Sequence, residues 1–102
     1  MHPPREFSRI INRRRYDVET ATLIASDTYW DGHNFERHGC NTFLYRTPHG
    51  NYFVVRVTQW IGERDTLKPV SQAEALDLYE NQLSEHEETY ADAFPDVQVT
   101  DA

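Results

Sequence analysis

The sequence predicts a small α+β domain in which an antiparallel β-sheet is packed by one or two C-terminal helices. Its 102 residues fit one domain, and a content of 38% hydrophobic and 13% aromatic residues is enough for one modest core. Two β-rich segments on either side of a Pro-His-Gly turn predict a central hairpin over about 42–60. A helix-capping motif followed by helically spaced apolar residues predicts helices over about 72–83 and 85–93.

Both ends of the chain are predicted to lie outside the folded domain. Residues 1–7 are expected to form a flexible arm, residues 8–94 the single α+β domain, and residues 95–102 a frayed tail. The β-branched and aromatic residues at 7–11 predict a short strand, and the polar residues at 12–15 predict a turn.

The segment that follows this turn is ambiguous between strand and helix. Thr20 and Thr22 favour a strand, whereas Asp17 is a suitable cap for a short helix. The apolar run at 21–25 is too short to be assigned by its period alone. We favour the strand.

Residues 26–41 predict a long loop, because they are rich in polar and turn-forming residues and have no sustained period. The loop carries Tyr29, Trp30 and Phe35, whose large amphipathic rings suit an interface. The alternative is that these rings fold back and cap the core.

The central hairpin is predicted to turn at Pro48-His49-Gly50, since proline suits the second position of a type I turn and glycine supplies the left-handed residue that follows. This turn places Thr47 opposite Asn51 and so determines the register of both strands. One face is then apolar and is predicted to form the core; it carries Phe43, Tyr45, Phe53, Val55 and Val57. The other face is mixed and is expected to be partly exposed; it carries Leu44, Arg46, Tyr52 and Val54.

The first C-terminal helix is predicted to begin with a capping box. Ser71 and Glu74 have the spacing in which each side chain bonds the backbone of the other. The segment 66–70 is expected to lead into this start. A second, weaker start at Ser84 and a stop at Pro95 predict the second helix.

Charge is distributed unevenly along the chain, whose formal net charge is −7. Five arginines lie in the first fifteen residues: Arg5, Arg9, Arg13, Arg14 and Arg15. No lysine or arginine follows Lys68, and the last third carries nine carboxylates: Glu74, Asp77, Glu80, Glu85, Glu87, Glu88, Asp92, Asp96 and Asp101. Such a region repels a phosphate backbone and attracts a basic surface. The alternative is a solvated helix face that only keeps the protein soluble.

The sequence contains no complete signature of catalysis or metal binding. His33, His38, Cys40 and His49 are suitable zinc donors, but their spacing matches no structural zinc pattern. Cys40 and His38 lack a third group that orients the histidine as a base. No glycine-rich phosphate-binding motif is present. We therefore predict a protein that is not an enzyme and has no metal or cofactor.

The apolar runs are far shorter than the roughly 20 residues that cross a bilayer, and the N-terminus lacks the apolar core of a secretory signal. A single cysteine agrees with a reducing compartment. These features predict a cytoplasmic protein.

Four short stretches of the sequence resemble a family of small uncharacterised bacterial and phage proteins. They are Ile-Ile-Asn-Arg-Arg-Arg-Tyr-Asp-Val-Glu-Thr-Ala at 10–21, Leu-Tyr-Arg-Thr and Gly-Asn-Tyr-Phe at 44–47 and 50–53, and Pro-Val-Ser-Gln-Ala-Glu-Ala at 69–75. The family pattern has a Tyr-Asp-Thr-x-Thr-Ala signature, in which Val18 here replaces threonine, a Leu-Tyr-Arg hairpin and a Ser-x-x-x-Ala helix start. The resemblance, over residues 10–94, implies a protein of the kind carried by phages and mobile elements. Among these, small acidic inhibitors of host defence, including anti-CRISPR proteins, are frequent.

Charge, aromatic content and resemblance together predict a non-enzymatic inhibitor that occupies a basic surface of a nucleic-acid-handling host complex, with a CRISPR effector as the expected target. The predicted partner-binding residues are Glu74, Asp77, Glu80, Glu85, Glu87, Glu88, Asp92, Tyr29, Trp30, Phe35 and Trp60. One alternative is a structural or regulatory module that self-associates through its oppositely charged ends. The other is nucleic-acid binding through the arginines at the N-terminus, Arg9, Arg13, Arg14 and Arg15.

Overall fold

The computed structural model describes residues 7–27, 40–58 and 66–101. In these ranges the chain forms the predicted α+β fold from seven strands and two short helices. The strands are β1 (Ser8–Ile11), β2 (Arg14–Asp17), β3 (Thr22–Ser26), β4 (Cys40–Arg46), β5 (Tyr52–Thr58), β6 (Thr66–Val70) and β7 (Glu85–His86). The helices are α1 (Gln72–Asp77) and α2 (Tyr90–Ala93), with a π-helical turn (Leu78–Gln82) directly after α1.

β1 and β2 form a two-stranded antiparallel hairpin, here called the N-terminal hairpin. Its turn consists of Asn12 and Arg13, whose φ angles of 52° and 66° are both positive, as in the tight turns that match the twist of two strands. The predicted turn at 12–15 was therefore too long, and Arg14 and Arg15 belong to β2. Because the turn has only two residues, the backbone of Arg14 and Arg15 pairs with that of β1.

The second sheet has five antiparallel strands in the order β6-β5-β4-β3-β7. β3 to β6 follow one another as neighbours, and β7 returns to the free edge of β3. The favoured strand interpretation of the segment before the long loop is confirmed by β3. The edge strand β6 was not predicted, because Pro69 weakens the strand pattern. Proline is tolerated on an edge strand, where the amide it lacks would not be needed for a hydrogen bond to a neighbouring strand.

The hairpin of β4 and β5 has the predicted register. Tyr45 lies opposite Phe53, and Phe43 lies opposite Val55. The Thr47 amide donates to the Asn51 carbonyl at 2.7 Å, and Gly50 has a φ of 86°. The three-residue turn thus closes as its sequence indicates.

The predicted loop 26–41 is shorter at both ends than expected. Ser26 belongs to β3, and Cys40 and Asn41 begin β4. The predicted aromatic anchors of this loop and of the segment after β5 lie outside the described residues; they are Tyr29, Trp30, Phe35 and Trp60.

Both faces of the five-stranded sheet carry a buried core, and the mixed face is partly exposed as expected, because Arg46 is half-buried and Arg56 is exposed. The hairpin face is covered by the N-terminal hairpin and carries Phe43, Tyr45, Phe53 and Val55, packed with Tyr16 and Val18. The helix face is covered by the C-terminal segment and carries Leu44, Tyr52 and Val54, packed with Ala75, Tyr79, Leu83, Ala93 and Phe94. Tyr52 is buried on the helix face although its side chain ends in a hydroxyl. Its buried hydroxyl donates to the Ala93 carbonyl at 2.9 Å.

The predicted capping box is present at the start of α1. The Glu74 amide donates to Ser71 Oγ at 3.1 Å, and the Ser71 amide donates to Glu74 Oε1 at 3.4 Å. None of the helices in the described ranges is long and apolar enough to cross a membrane.

The prediction of a second helix over 85–93 was wrong for the first half of that range. Glu85 and His86 form β7, and α2 begins only after Thr89, whose Oγ1 accepts from the Asp92 amide at 3.2 Å. The Glu87 amide donates to the Ile24 carbonyl at 2.8 Å. A short helix is only marginally stable by itself, so Glu85 and His86 pair with the free edge of β3 instead of forming the start of a helix.

The buried Tyr45 phenol makes the free energy of unfolding depend on pH in the alkaline range. Burial raises the pKa of Tyr45 from its ordinary value of 10.0 to about 12. The unfolded chain releases this proton first, so the stability due to the shift is complete below pH 10 and is lost as pH rises through about 12. In denaturant titrations across this window, Tyr45→Phe should lose less stability than the wild type. Equal losses in both proteins would contradict the assignment.

Candidate functional site

Seven carboxylates of the C-terminal third lie on the segment from α1 to α2, whose buried residues pack on the helix face. We call them the acidic surface: Glu74, Asp77, Glu80, Glu85, Glu87, Glu88 and Asp92. Glu85 and Glu88 are half-buried and the other five are exposed. These are the acidic residues predicted to bind a partner, and the structure carries them on one continuous segment from α1 to α2.

A cluster of aromatic rings holds this segment in place. Tyr79 stacks on His86 with 3.9 Å between ring centroids, and its hydroxyl donates to the Glu88 carbonyl at 2.7 Å. The Tyr90 hydroxyl donates to Glu80 Oε2 at 3.0 Å. The π-helical turn, β7 and α2 are therefore tied together through their backbone and ring contacts, and the Glu80 carboxylate is held by Tyr90.

The phenols in this cluster are structural donors rather than acid–base groups. Burial, with a contribution from Glu88, raises the pKa of Tyr79. Burial and the hydrogen bond to Glu80 raise the pKa of Tyr90. Both hydroxyls consequently remain protonated at neutral pH and continue to donate.

Three carboxylates of the acidic surface, those of Glu74, Asp77 and Glu80, accept hydrogen bonds within their own segment. Asp77 accepts from Asn81 Nδ2 and from Gln82 Nε2, both at 2.9 Å. Glu80 accepts from Tyr90, and Glu74 completes its own helix cap. In the part of the chain that the structure describes, none of them forms an ion pair with lysine or arginine.

Glu74 shares a groove with two cationic residues. It lines a shallow groove of about 530 Å³ together with Arg56 and Lys68, which lie on β5 and β6 at the margin of the helix face. The negative charge at α1 is therefore partly offset by these cations, whereas this groove does not extend to the carboxylates from Glu80 onwards.

The arginines predicted as an alternative nucleic-acid site lie on the opposite side of the sheet. Arg9, Arg14 and Arg15 are on the strands of the N-terminal hairpin, and Arg13 is in its turn. This hairpin covers the hairpin face, whereas the acidic surface is packed on the helix face. The arginines therefore do not neutralise the acidic surface, and the segregation of charge along the chain becomes segregation in space.

The structure also brings two of these arginines to a turn that is distant in sequence. An open cleft of about 830 Å³ lies between β2 and the turn of the central hairpin; it is lined by Arg14, Arg15, Tyr16, Asp17, Thr20, Thr47, Pro48, His49 and Asn51. Arg14 Nη1 donates to Asn51 Oδ1 at 3.3 Å across it. The residues of the turn were not predicted as site residues, because only the packing of the N-terminal hairpin places them beside arginines.

Among the described residues, no group of three His, Cys, Asp or Glu side chains is placed to hold a metal ion. His33 and His38 lie outside the described ranges, and His49 is exposed at the tip of the hairpin turn. The geometry of the described residues thus offers two features of interest, the acidic surface and the cleft. Comparison of the chain with protein-family models, curated proteins and solved structures finds no match.

Proposed function

We propose that the protein is a non-enzymatic inhibitor from a phage or mobile element, which blocks a nucleic-acid-handling host defence complex by occupying a basic surface on it, with a CRISPR effector as the target. The observation that carries this proposal is the acidic surface, whose described carboxylates lack arginine or lysine partners within the described chain. The resemblance noted in the sequence supports the choice of target.

Electrostatics explains how such a surface would act. Nucleic-acid-handling proteins bind the phosphate backbone through clustered lysine and arginine. A complementary acidic surface steers the encounter with such a cluster and competes for the same cations. Nine carboxylates with no lysine or arginine in the last third provide this complementarity without any catalytic group.

Rigidity adds to the effect of charge. The backbone that carries the carboxylates is held by ring stacking and by the hydrogen bond from Tyr79, and the Glu80 carboxylate is held by Tyr90, so that less conformational entropy is lost on binding. Apolar anchors are expected from the aromatic residues outside the described ranges, Tyr29, Trp30, Phe35 and Trp60, which remain predictions.

Reversal of charge tests the proposal. The triple substitution Glu80→Lys, Glu87→Lys and Glu88→Lys changes the acidic surface by six charge units, and we expect it to weaken binding to the target by about tenfold or more. The measurement is inhibition of target cleavage by purified CRISPR effectors, with affinity followed at low and high salt because the steering is screened. Circular dichroism must show the wild-type fold, since Glu80 accepts a hydrogen bond from Tyr90.

A matched pair of single reversals serves as the control. Glu87 and Glu19 are both exposed, but Glu87 belongs to the acidic surface and Glu19 lies two residues after the end of β2. Glu87→Lys should weaken inhibition more than Glu19→Lys. Unchanged inhibition by the triple variant would reject the mechanism, and no inhibition of any effector by the wild-type protein would reject the target.

The segregation of charge also favours a second candidate, a structural or regulatory module that associates head to tail through its two oppositely charged sides. Attraction between the arginines of one copy and the acidic surface of the next would be strongest at low salt. Sedimentation at two salt concentrations separates the candidates, and a monomer at both counts against self-association.

A further inference from the structure

We infer that the cleft between β2 and the turn of the central hairpin binds a small phosphate monoester that also carries hydroxyl or amino groups, such as a nucleotide or a sugar phosphate. The cleft has a volume of about 830 Å³. This lies within the range of about 300–1,000 Å³ that is usual for small-ligand sites. The inference is independent of the acidic surface, which lies on the other side of the sheet.

Two guanidinium groups supply the phosphate-binding donors. Arg14 uses one N–H group to bond Asn51 Oδ1, at 3.3 Å, and its other N–H groups remain for a ligand. Arg15 is exposed and makes no hydrogen bond or ion pair within the ranges that the structure describes. Planar guanidinium groups match the oxygens of a phosphate in a paired geometry, and both arginines line the cleft.

Tyr16 adds a third donor on a rigid support. Its ring is buried, 7% exposed, and packs edge-on against Phe53 with 5.6 Å between centroids. Its hydroxyl has no hydrogen-bond partner among the described residues, yet it is not sealed from solvent. A phenol held in this way donates to a ligand with little loss of entropy.

The carboxylate of Asp17, which also lines the cleft, limits the kinds of ligand that the cleft can bind. Its Oδ1 accepts from the Glu19 amide at 2.9 Å, which fixes the carboxylate in the turn after β2. A fixed carboxylate in a cleft with two arginines repels a simple polyanion but accepts hydrogen bonds from hydroxyl or amino groups. The donor set therefore fits a ligand with one phosphate and neighbouring hydroxyl groups better than a continuous phosphodiester strand.

Amide NMR on the full chain tests this inference with four probes: AMP, adenosine, inorganic phosphate and a single-stranded oligothymidylate. AMP at about 1 mM should shift the amide signals of residues 14–17 and 49–51. Inorganic phosphate should shift the same signals more weakly, and adenosine should leave them unchanged. Absence of shifts with AMP, equal shifts with adenosine, or shifts with the oligonucleotide alone would each overturn the inference.

Substitution then ties the binding to the two arginines. Arg14→Gln with Arg15→Gln should weaken AMP binding by about tenfold or more, because both charged donors are lost. Arg56→Gln is the matched control, since Arg56 is equally exposed but lies on β5 away from the cleft, and it should bind AMP like the wild type. Arg15 has no partner within the described chain, so Arg15→Gln should leave the fold intact. Weaker AMP binding by this single variant is then due to loss of a ligand contact and not to unfolding. Wild-type affinity in the double variant would overturn the inference.

Discussion

Replacement of Phe94 by alanine is expected to lower the free energy of unfolding by about 3–5 kcal/mol. Phe94 is fully buried in the core of the helix face. Its ring lies 5.3 Å from that of Tyr52 and 5.4 Å from those of Tyr79 and Tyr90, measured between centroids. Removal of the ring leaves a cavity at the point where α2 meets β5 and the π-helical turn, and these three elements support the acidic surface.

Chemical denaturation with a matched control measures this effect. Val99→Ala removes apolar atoms at a position that is 68% exposed, and it should change stability by less than about 0.5 kcal/mol. Hydrogen exchange in Phe94→Ala should accelerate first between Leu83 and Phe94, because this segment loses its main buried contact. A destabilisation no larger than that of Val99→Ala would show that Phe94 does not anchor the C-terminal segment.

Replacement of Phe53 by alanine is expected to have a similar cost, about 3–5 kcal/mol, on the opposite face of the sheet. Phe53 is fully buried, stacks on Tyr45 with 5.1 Å between centroids and meets Tyr16 edge-on at 5.6 Å. Tyr16 is the buried residue through which β2 packs on the sheet. Loss of the Phe53 ring should therefore loosen the N-terminal hairpin before it loosens the helices.

Ile10 provides the control for this second substitution. It lies on β1 and is 67% exposed, so Ile10→Ala should be nearly neutral in the same denaturation experiment. Hydrogen exchange in Phe53→Ala should accelerate most in β1 and β2. Faster exchange confined to the C-terminal segment would refute the assignment of Phe53 to the support of the hairpin.

The two substitutions separate the two candidate surfaces of the molecule. The acidic surface rests on the core of the helix face, and the cleft rests on the core of the hairpin face. Residues of β4 and β5 alternate between these cores, so each strand contributes to both. The sheet thus holds two charged regions apart on a single rigid framework.

Elements that depend on neighbouring residues were predicted well. The turn at Pro48-His49-Gly50 determines the register of β4 and β5, since Gly50 supplies the left-handed residue and side chains alternate with a period of two. The capping box of Ser71 and Glu74 closes over three residues and needs no tertiary contact.

Elements that depend on distant residues were predicted poorly. β7 forms because the free edge of β3 accepts the backbone of Glu85 and His86, some sixty residues later in the chain. The strand β6 needs β5 as its neighbour, and its proline obscured the pattern. No local pattern indicates which edge a short segment will join.

The amino-acid sequence by itself determined the α+β class, the central hairpin with its register, the start of α1 and the unequal charge of the two ends. Only the tertiary structure decided that the N-terminal hairpin and the C-terminal segment cover opposite faces of one sheet. The alternation of side chains divides the residues of β4 and β5 between two faces, but it does not say which segment covers each face. That choice depends on packing between residues far apart in the chain, and it places the arginines beside the turn of the central hairpin and keeps the carboxylates away from them.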